Sequence, residues 1–232
     1  NVGRKTIEIL EKSKLKINNL FLVASKRSIG KKISFRKKKI KIETLENYDF
    51  SKAGITFFAA GSAVAKKWGL IAAKQTIVID NSKHFRMNKN IALVVPEVNE
   101  STLKDYKKTN IIANPNCSTA QLVVALKPLH DKFKIKRVVV STYQAVSGAG
   151  KASTDELFSQ TKNFLNGKKI KSKNFTKQIA FNLIPHIDKF LKDGYTKEEW
   201  KLENETRKIL DPNIKMTATC VRVPVRTSHS ES

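Results

Sequence analysis

Short apolar runs of strand length alternate with segments of helical period along the first half of the chain, and this rhythm restricts the fold more than any other feature. Residues 20–24, 55–59, 76–80 and 110–113 are nearly continuous in apolar side chains, as strands buried on both faces are. Between the second and third of them, residues 62–74 carry Ala63, Trp68, Ile71 and Ala72 at helix-like spacing. A short helix is expected over 102–107. Strands joined through helical crossovers run parallel, so the pattern predicts an α/β domain with a mainly parallel sheet.

After Pro115 the character changes. A helix is expected from Cys117 toward Lys132, then a β-branched strand over 137–144. A polar helix over 151–165, a lysine-rich loop, an apolar run over 179–184, a helix over 196–210 and a strand over 217–225 follow. The fold class is therefore α/β: a Rossmann-like nucleotide-binding domain over 1–114, followed by an α+β domain over 115–232. Architecture alone fixes no chemistry. The opening Asn1-Val2-Gly3-Arg4 reads as the tail of a glycine-rich loop entering its helix, and the chain stops just after a strand. A fragment lacking both ends is the expectation.

The 232 residues carry a formal charge of +25, which invites a nucleic-acid reading. Apart from Arg36-Lys37-Lys38-Lys39, however, the lysines are dispersed, and no nucleic-acid recognition module is recognisable. Binding of nucleic acid is kept only as the alternative of another class. No run approaches the roughly 18 apolar residues of a membrane span, and the first residues do not build a signal peptide, so neither a membrane nor export is expected. Two cysteines, Cys117 and Cys220, make no disulfide framework, and a reducing cytoplasm fits them. No metal site is expected.

The strongest local signal is Asn114-Pro115-Asn116-Cys117-Ser118-Thr119. A strand ends, proline enforces a turn, and Asn116 stands where an N-cap belongs, which puts Cys117 in the first turn of a helix. There the positive end of the helix dipole stabilises a thiolate nucleophile. The alternative for a lone cysteine is a small buried apolar residue. Cys220, inside a strand with nothing to polarise it, is expected in the core. Of the four histidines, His130 is expected at the surface and His186 as a loop-fixing residue.

These stretches, with Ala24-Ser25-Lys26-Arg27-Ser28-Ile29-Gly30-Lys31, Val94-Val95-Pro96-Glu97-Val98-Asn99, Tyr143-Gln144-Ala145-Val146-Ser147-Gly148-Ala149-Gly150, Ile184-Pro185-His186-Ile187-Asp188 and Cys220-Val221-Arg222-Val223-Pro224-Val225 through His229-Ser230-Glu231-Ser232, resemble the bacterial NADP-dependent aspartate-semialdehyde dehydrogenases. The resemblance runs along essentially the whole chain. It implies a phosphorylating aldehyde dehydrogenase that works through a thioester on Cys117, with a small anionic substrate and phosphate as partners.

In that family's pattern His229 falls at the acid/base position and Gln144 orients the acyl group. Arg222 grips the substrate carboxylate, as the planar guanidinium suits. Arg86, Asn116 and Lys201 resemble the set that holds phosphate, and Glu198, three residues before Lys201 on one helix face, faces the substrate ammonium. NADP is the implied cofactor. Arg27 and Ser28 lie beyond a strand that carries no acidic residue to take a free ribose hydroxyl, which favours the 2′-phosphorylated form. Gly3, Gly61 and Ser62 belong to turns that approach the cofactor, with Ser147, Gly148 and Gly150 near the nicotinamide. A homodimer formed through the second domain is also implied. N-acetyl-glutamyl-phosphate reductase, with the same thioester logic on an acylated substrate, is the near alternative; the Asn-Pro-Asn-Cys-Ser-Thr run and Glu198 favour a substrate with a free ammonium.

Overall fold

The computed structural model describes residues 2–232; Asn1 and the side chain of Arg27 lie outside the described residues. The chain divides into two units. One comprises Asn1–Val94 with Ser101–Asn114, the other Val95–Glu100 with Pro115–Ser232. The Val95–Glu100 segment, which the sequence placed in the first domain, thus belongs with the second.

The first unit runs α1 (Val2–Lys12), β1 (Leu22–Ala24), β2 (Lys32–Phe35), β3 (Lys38–Thr44), β4 (Ile55–Phe58), α2 (Ser62–Ala73), β5 (Ile77–Asp80) and β6 (Ala92–Leu93). After α3 (Pro96–Asn99) it closes with β7 (Ile111–Ala113). The residues expected as a short helix over 102–107 form part of a 3-10 stretch, Glu100–Lys108. Strands β4, β5, β7 and β6 lie side by side in that order, all parallel. The two inner strands account for the purely apolar runs: Val78, Ile111 and Ala113 have no exposed surface. Strand β4 is an edge, and Ile55 and Phe57 remain 52% and 47% exposed, so it is not buried on both faces as expected.

A second, three-stranded sheet has the order β1-β3-β2. The sequence reading missed β2 and β3 because it took 36–39 as a basic run. Phe35 pairs with Lys38, leaving Arg36-Lys37 as a two-residue turn with φ of 46° and 67°. Hairpins usually fill those positions with Asn-Gly, so the turn carried no recognisable signature. The flanks did carry one: Ile33, Phe35, Ile40 and Ile42 alternate with polar residues, and the lysines line the exposed side. The Arg36 guanidinium donates to the carbonyls of Leu15 (3.0 Å) and Ser13 (3.2 Å), which fixes the turn against the end of α1.

The second unit continues with α4 (Cys117–Phe133), β8 (Arg137–Ala145), α5 (Lys151–Leu165), α6 (Lys197–Ile209), β9 (Lys215–Val223) and β10 (His229–Glu231). β8 pairs parallel with β9 and antiparallel with β10. β9 starts two residues earlier than expected and ends at Val223, where Pro224 can no longer donate to the ladder. Val138, Val140, Met216, Ala218 and Cys220 of the sheet pack with Leu122 of α4 and Leu202 of α6. His130 is buried rather than at the surface, with Nε2 3.4 Å from Asp211. The apolar run 179–184 is a loop buried at Ile179, Ala180 and Ile184 and exposed at Phe181 and Leu183; Gln160 Oε1 accepts the N–H groups of Ile179 (2.9 Å) and Ala180 (3.1 Å), supplying partners that a strand would otherwise provide. Among the described residues no helix is long and apolar enough to cross a membrane.

Helix α2 packs through its smallest residues, Ala65, Gly69 and Ala72. A Cβ built on Gly69 would stand 2.6 Å from the buried Phe85 ring. Gly69→Ala is therefore expected to destabilise the protein by about 1–3 kcal/mol, as overpacking does, despite the helix preference for alanine. Urea denaturation checks this; a variant as stable as the parent would show that the ring moves freely.

Candidate active site

The site in the second unit starts from the cap of α4. Asn116 has φ −59° and ψ 149°, outside the helix, and its side-chain oxygen accepts the N–H of Ser118 at 2.9 Å. Cys117 is therefore the first residue of a 17-residue helix, exposed, with Sγ 3.8 Å from Asn116 Oδ1. Free N–H groups at a helix start favour negative charge there, so this position suits a thiolate.

Strand register supplies the next group. Gln144 on β8 stands opposite Arg222 on β9 and opposite His229 on β10, so these three residues form one row across the sheet. Residues directly across a ladder project to the same face. Gln144 and Arg222 are buried, and Arg222 Nη1 donates to the Ala145 carbonyl at 2.7 Å. Burial lowers the Arg222 pKa, while Glu198 and Cys117 oppose that shift, so both groups lie within reach of the guanidinium's field. Gly148 backs the row: a Cβ there would meet Arg222 Nη1 at 3.1 Å and the His229 ring at 3.4 Å.

His229 Nδ1 lies 3.0 Å from both the Ala145 N–H and the Ser228 carbonyl, accepting from the first or donating to the second according to its tautomer. In the tautomer that donates to Ser228, Nε2 keeps a free lone pair. Burial, seconded by the charge of Arg222, depresses the imidazole pKa below its ordinary value, against the Ser228 hydrogen bond and Glu198. The neutral form of the ring is thus favoured.

Helix α6 carries the balancing charges. Its N-terminus is fixed by a capping box in which the Thr196 side chain accepts the Glu199 N–H and Glu199 accepts the Thr196 N–H. Glu198 is buried; burial would raise its pKa, but Lys201 at 2.8 Å, with hydrogen bonds from Lys201, Asn116 and Gln144, lowers it instead. Lys201 behaves reciprocally: burial opposes its charge, and Glu198 and Asp188, the latter 2.9 Å away, raise its pKa. Asn116 Nδ2 donates to Glu198 at 2.9 Å, which links the helix-α4 cap to this pair.

The sequence-predicted residues Cys117, Asn116, Gln144, Gly148, Glu198, Lys201, Arg222 and His229 are thus brought together through these contacts. Ser147 lies in the 3-10 turn after β8, and Gly150, with φ 98°, caps α5. Gly3, Ser28, Gly61, Ser62 and Arg86 belong to the first unit. Gly3 lies in α1, 3.8 Å from Ala59 by its built Cβ. Ser28 ends the 3-10 turn after β1, Gly61 with φ 89° caps α2, and Ser62 opens that helix. Arg86 is buried and Nη2 donates to the Asn81 carbonyl at 3.2 Å. Sequence reasoning missed Asp188 and Glu205 as participants. Glu205 Oε2 accepts the Asn116 N–H at 2.6 Å. The available signal was its spacing from Glu198, two helical turns along the same face, but a charged face is ordinarily read as solvated.

The chain thus joins a parallel α/β unit to an α+β unit that carries a helix-capped cysteine, within the field of Arg222, and the row of Gln144, Arg222 and His229. Residues 1–106 match the family described as semialdehyde dehydrogenase, NAD binding domain, and residues 126–232 match semialdehyde dehydrogenase, dimerisation domain. Aspartate-semialdehyde dehydrogenase 2 of Vibrio cholerae is 49% identical over 233 residues, and the Aquifex aeolicus aspartate-semialdehyde dehydrogenase 52% over 235; each alignment covers all of this chain and 69% of the relative. The crystal structure of the Vibrio cholerae enzyme II complexed with ASA superposes with a TM-score of 0.97, covering 99% of this chain and 69% of that one. The chain belongs to the aspartate-semialdehyde dehydrogenase family.

Cys220 has no exposed surface, and burial pushes its thiol up to about 12 against a hydrogen bond involving Thr142. Iodoacetamide at about pH 8 is therefore expected to modify Cys117 and spare Cys220 in the native protein, with both reacting in denaturant. Peptide mass spectrometry reads the outcome, and native labelling of Cys220 would contradict its burial.

Proposed function

We propose that the protein catalyses the NADP-dependent reductive dephosphorylation of aspartyl phosphate to aspartate semialdehyde, in the biosynthesis of lysine, threonine and methionine. The observation that carries this reading is the row of His229, Gln144 and Arg222, linked to the cap of Cys117 through Glu198, to which Gln144 and Asn116 both hydrogen-bond. Cys117 Sγ attacks the acyl carbon, the bond from that carbon to the phosphate oxygen breaks, phosphate leaves with the electron pair, and a thioester remains. Arg222 grips the substrate carboxylate and Gln144 orients the acyl oxygen. Lys201 and Asn116 take the phosphate. Glu198, kept ionised, receives the substrate ammonium, which an acetylated amine would not need; this favours aspartyl phosphate over the N-acetyl-glutamyl alternative.

When bound, the reduced cofactor NADPH would supply the hydride that reduces the thioester carbon. Its phosphates suit the turns of the first unit: Gly61 adopts a backbone conformation closed to most side chains, Ser62 opens α2, and no acidic residue occupies that helix's first turn. Ser28, Arg27 and Gly3 complete that set, and Ser147, Gly148 and Gly150 lie in turns of the second unit. His229 takes the thiol proton as Cys117 attacks and returns it to the departing sulfur as the tetrahedral adduct collapses to aldehyde; in the oxidative direction it likewise removes the thiol proton. The first unit binds the cofactor, and the second performs the chemistry and pairs two copies. Val139 and Tyr143, 64% and 42% exposed on one face of its sheet, offer apolar surface for that pairing. The cytoplasm suits a nucleophile that must stay reduced.

Cys117→Ser in the whole enzyme is expected to retain the fold and lose activity by about a thousandfold or more, as removal of a covalent nucleophile does. Turnover within tenfold of the parent would refute the thioester. Arg222→Ala is expected to raise KM for the semialdehyde by about 10- to 100-fold, the equivalent of the roughly 1.5–3 kcal/mol of a charged hydrogen bond. An unchanged KM would remove the carboxylate role. Protonation of His229 removes the base, so kcat/KM for aldehyde oxidation is expected to fall with decreasing pH. Because burial depresses this imidazole, the midpoint should lie below its ordinary 6.5. A midpoint above that value, or one that persists in His229→Asn, would exclude the assignment.

A further inference from the structure

We infer that Glu205 is a positioning residue for the nucleophile, acting through the backbone of Asn116. The inference rests on Cys117 being the residue that forms the thioester. Glu205 is 1% exposed, and its Oε2 accepts the Asn116 N–H at 2.6 Å across 89 residues of sequence. The amide at an N-cap lies outside the helix ladder and needs a partner from elsewhere. Seven residues earlier on α6, Glu198 accepts from the side-chain amide of the same asparagine at 2.9 Å. One helix thus grips Asn116 at main chain and side chain together.

That double grip fixes more than the asparagine. With its N–H and Nδ2 both engaged, Asn116 can rotate about neither its backbone nor χ2 without losing a hydrogen bond to a buried carboxylate. Its remaining oxygen, Oδ1, caps Ser118 N at 2.9 Å and lies 3.8 Å from Cys117 Sγ. The direction in which the sulfur leaves the helix start is therefore set from α6. Glu205 touches no reacting atom in this scheme; it holds the residue that does the capping. A shift of about 1 Å in a nucleophile costs on the order of a hundredfold in rate while leaving substrate binding nearly intact. A carboxylate kept only for stability would instead change the amount of folded protein and leave the folded fraction fully active.

Reach and charge can be separated by two substitutions in the whole enzyme. Glu205→Gln keeps the length and an accepting oxygen and removes the charge; Glu205→Asp keeps the charge and withdraws the oxygen by one methylene. Kinetics per folded active protein and the rate of Cys117 alkylation by iodoacetamide as a function of pH are measured for both. The expected result is E205Q within about threefold of the parent in kcat and alkylation, and E205D at least tenfold lower in kcat with KM within about twofold and an altered alkylation profile. E205D indistinguishable from the parent in kcat and alkylation, or E205Q unfolded or as slow as E205D, would overturn the inference. Failure of the underlying reading appears separately, as a Cys117→Ser enzyme that still turns over.

Discussion

Glu198 is a carboxylate in a place where carboxylates usually lose their charge. Lys201 at 2.8 Å, with its own second partner Asp188, keeps it ionised, and the retained charge is felt by Arg222 and His229. Asn116 and Gln144 also hydrogen-bond to it. Breaking a buried pair of this kind ordinarily costs about 3–5 kcal/mol, because the surviving partner is left uncompensated. Cap, sheet row and helix α6 therefore share one electrostatic centre, and none of the three could be arranged independently of it.

What could be read from the sequence was what local rules encode. Asn-Pro-Asn before an apolar helical run announces an N-cap within four residues, and the structure starts α4 at Cys117 as that signal requires. The β-branched stretches that become β8 and β9 were legible for the same reason. Non-local partners were not. The hairpin of β2 and β3 escaped because its turn is Arg36-Lys37 rather than a glycine pair, and because lysines on its solvent side concealed the alternation beneath them. Glu205 escaped because its partner lies 89 residues away, and His130 because a helix flanked by lysines gave no sign that Asp211 would meet it.

The same hairpin accounts for the most concentrated basic run in the chain. Arg36 is held at its turn by the Leu15 and Ser13 carbonyls, while Lys37, Lys38 and Lys39 lie exposed along the turn and outer face, where water solvates their charge. A charge run that alternates with apolar residues is a structural periodicity before it is a recognition surface. The buried charges follow the opposite rule: Glu198, Lys201 and Arg222 each have a named partner, as charged groups removed from water require.

Strand β10 is only three residues long, and beyond it the Ser141 and Ser232 main chains exchange hydrogen bonds at 2.7 and 2.9 Å. Side chains alternate between faces at every step along a strand, so a slip of one position would carry the imidazole to the far side of the sheet, with nothing intermediate available. The place of the imidazole is consequently quantised by the ladder: it is either in line with Gln144 and Arg222 or on the opposite face, and small perturbations of the strand cannot move it by degrees.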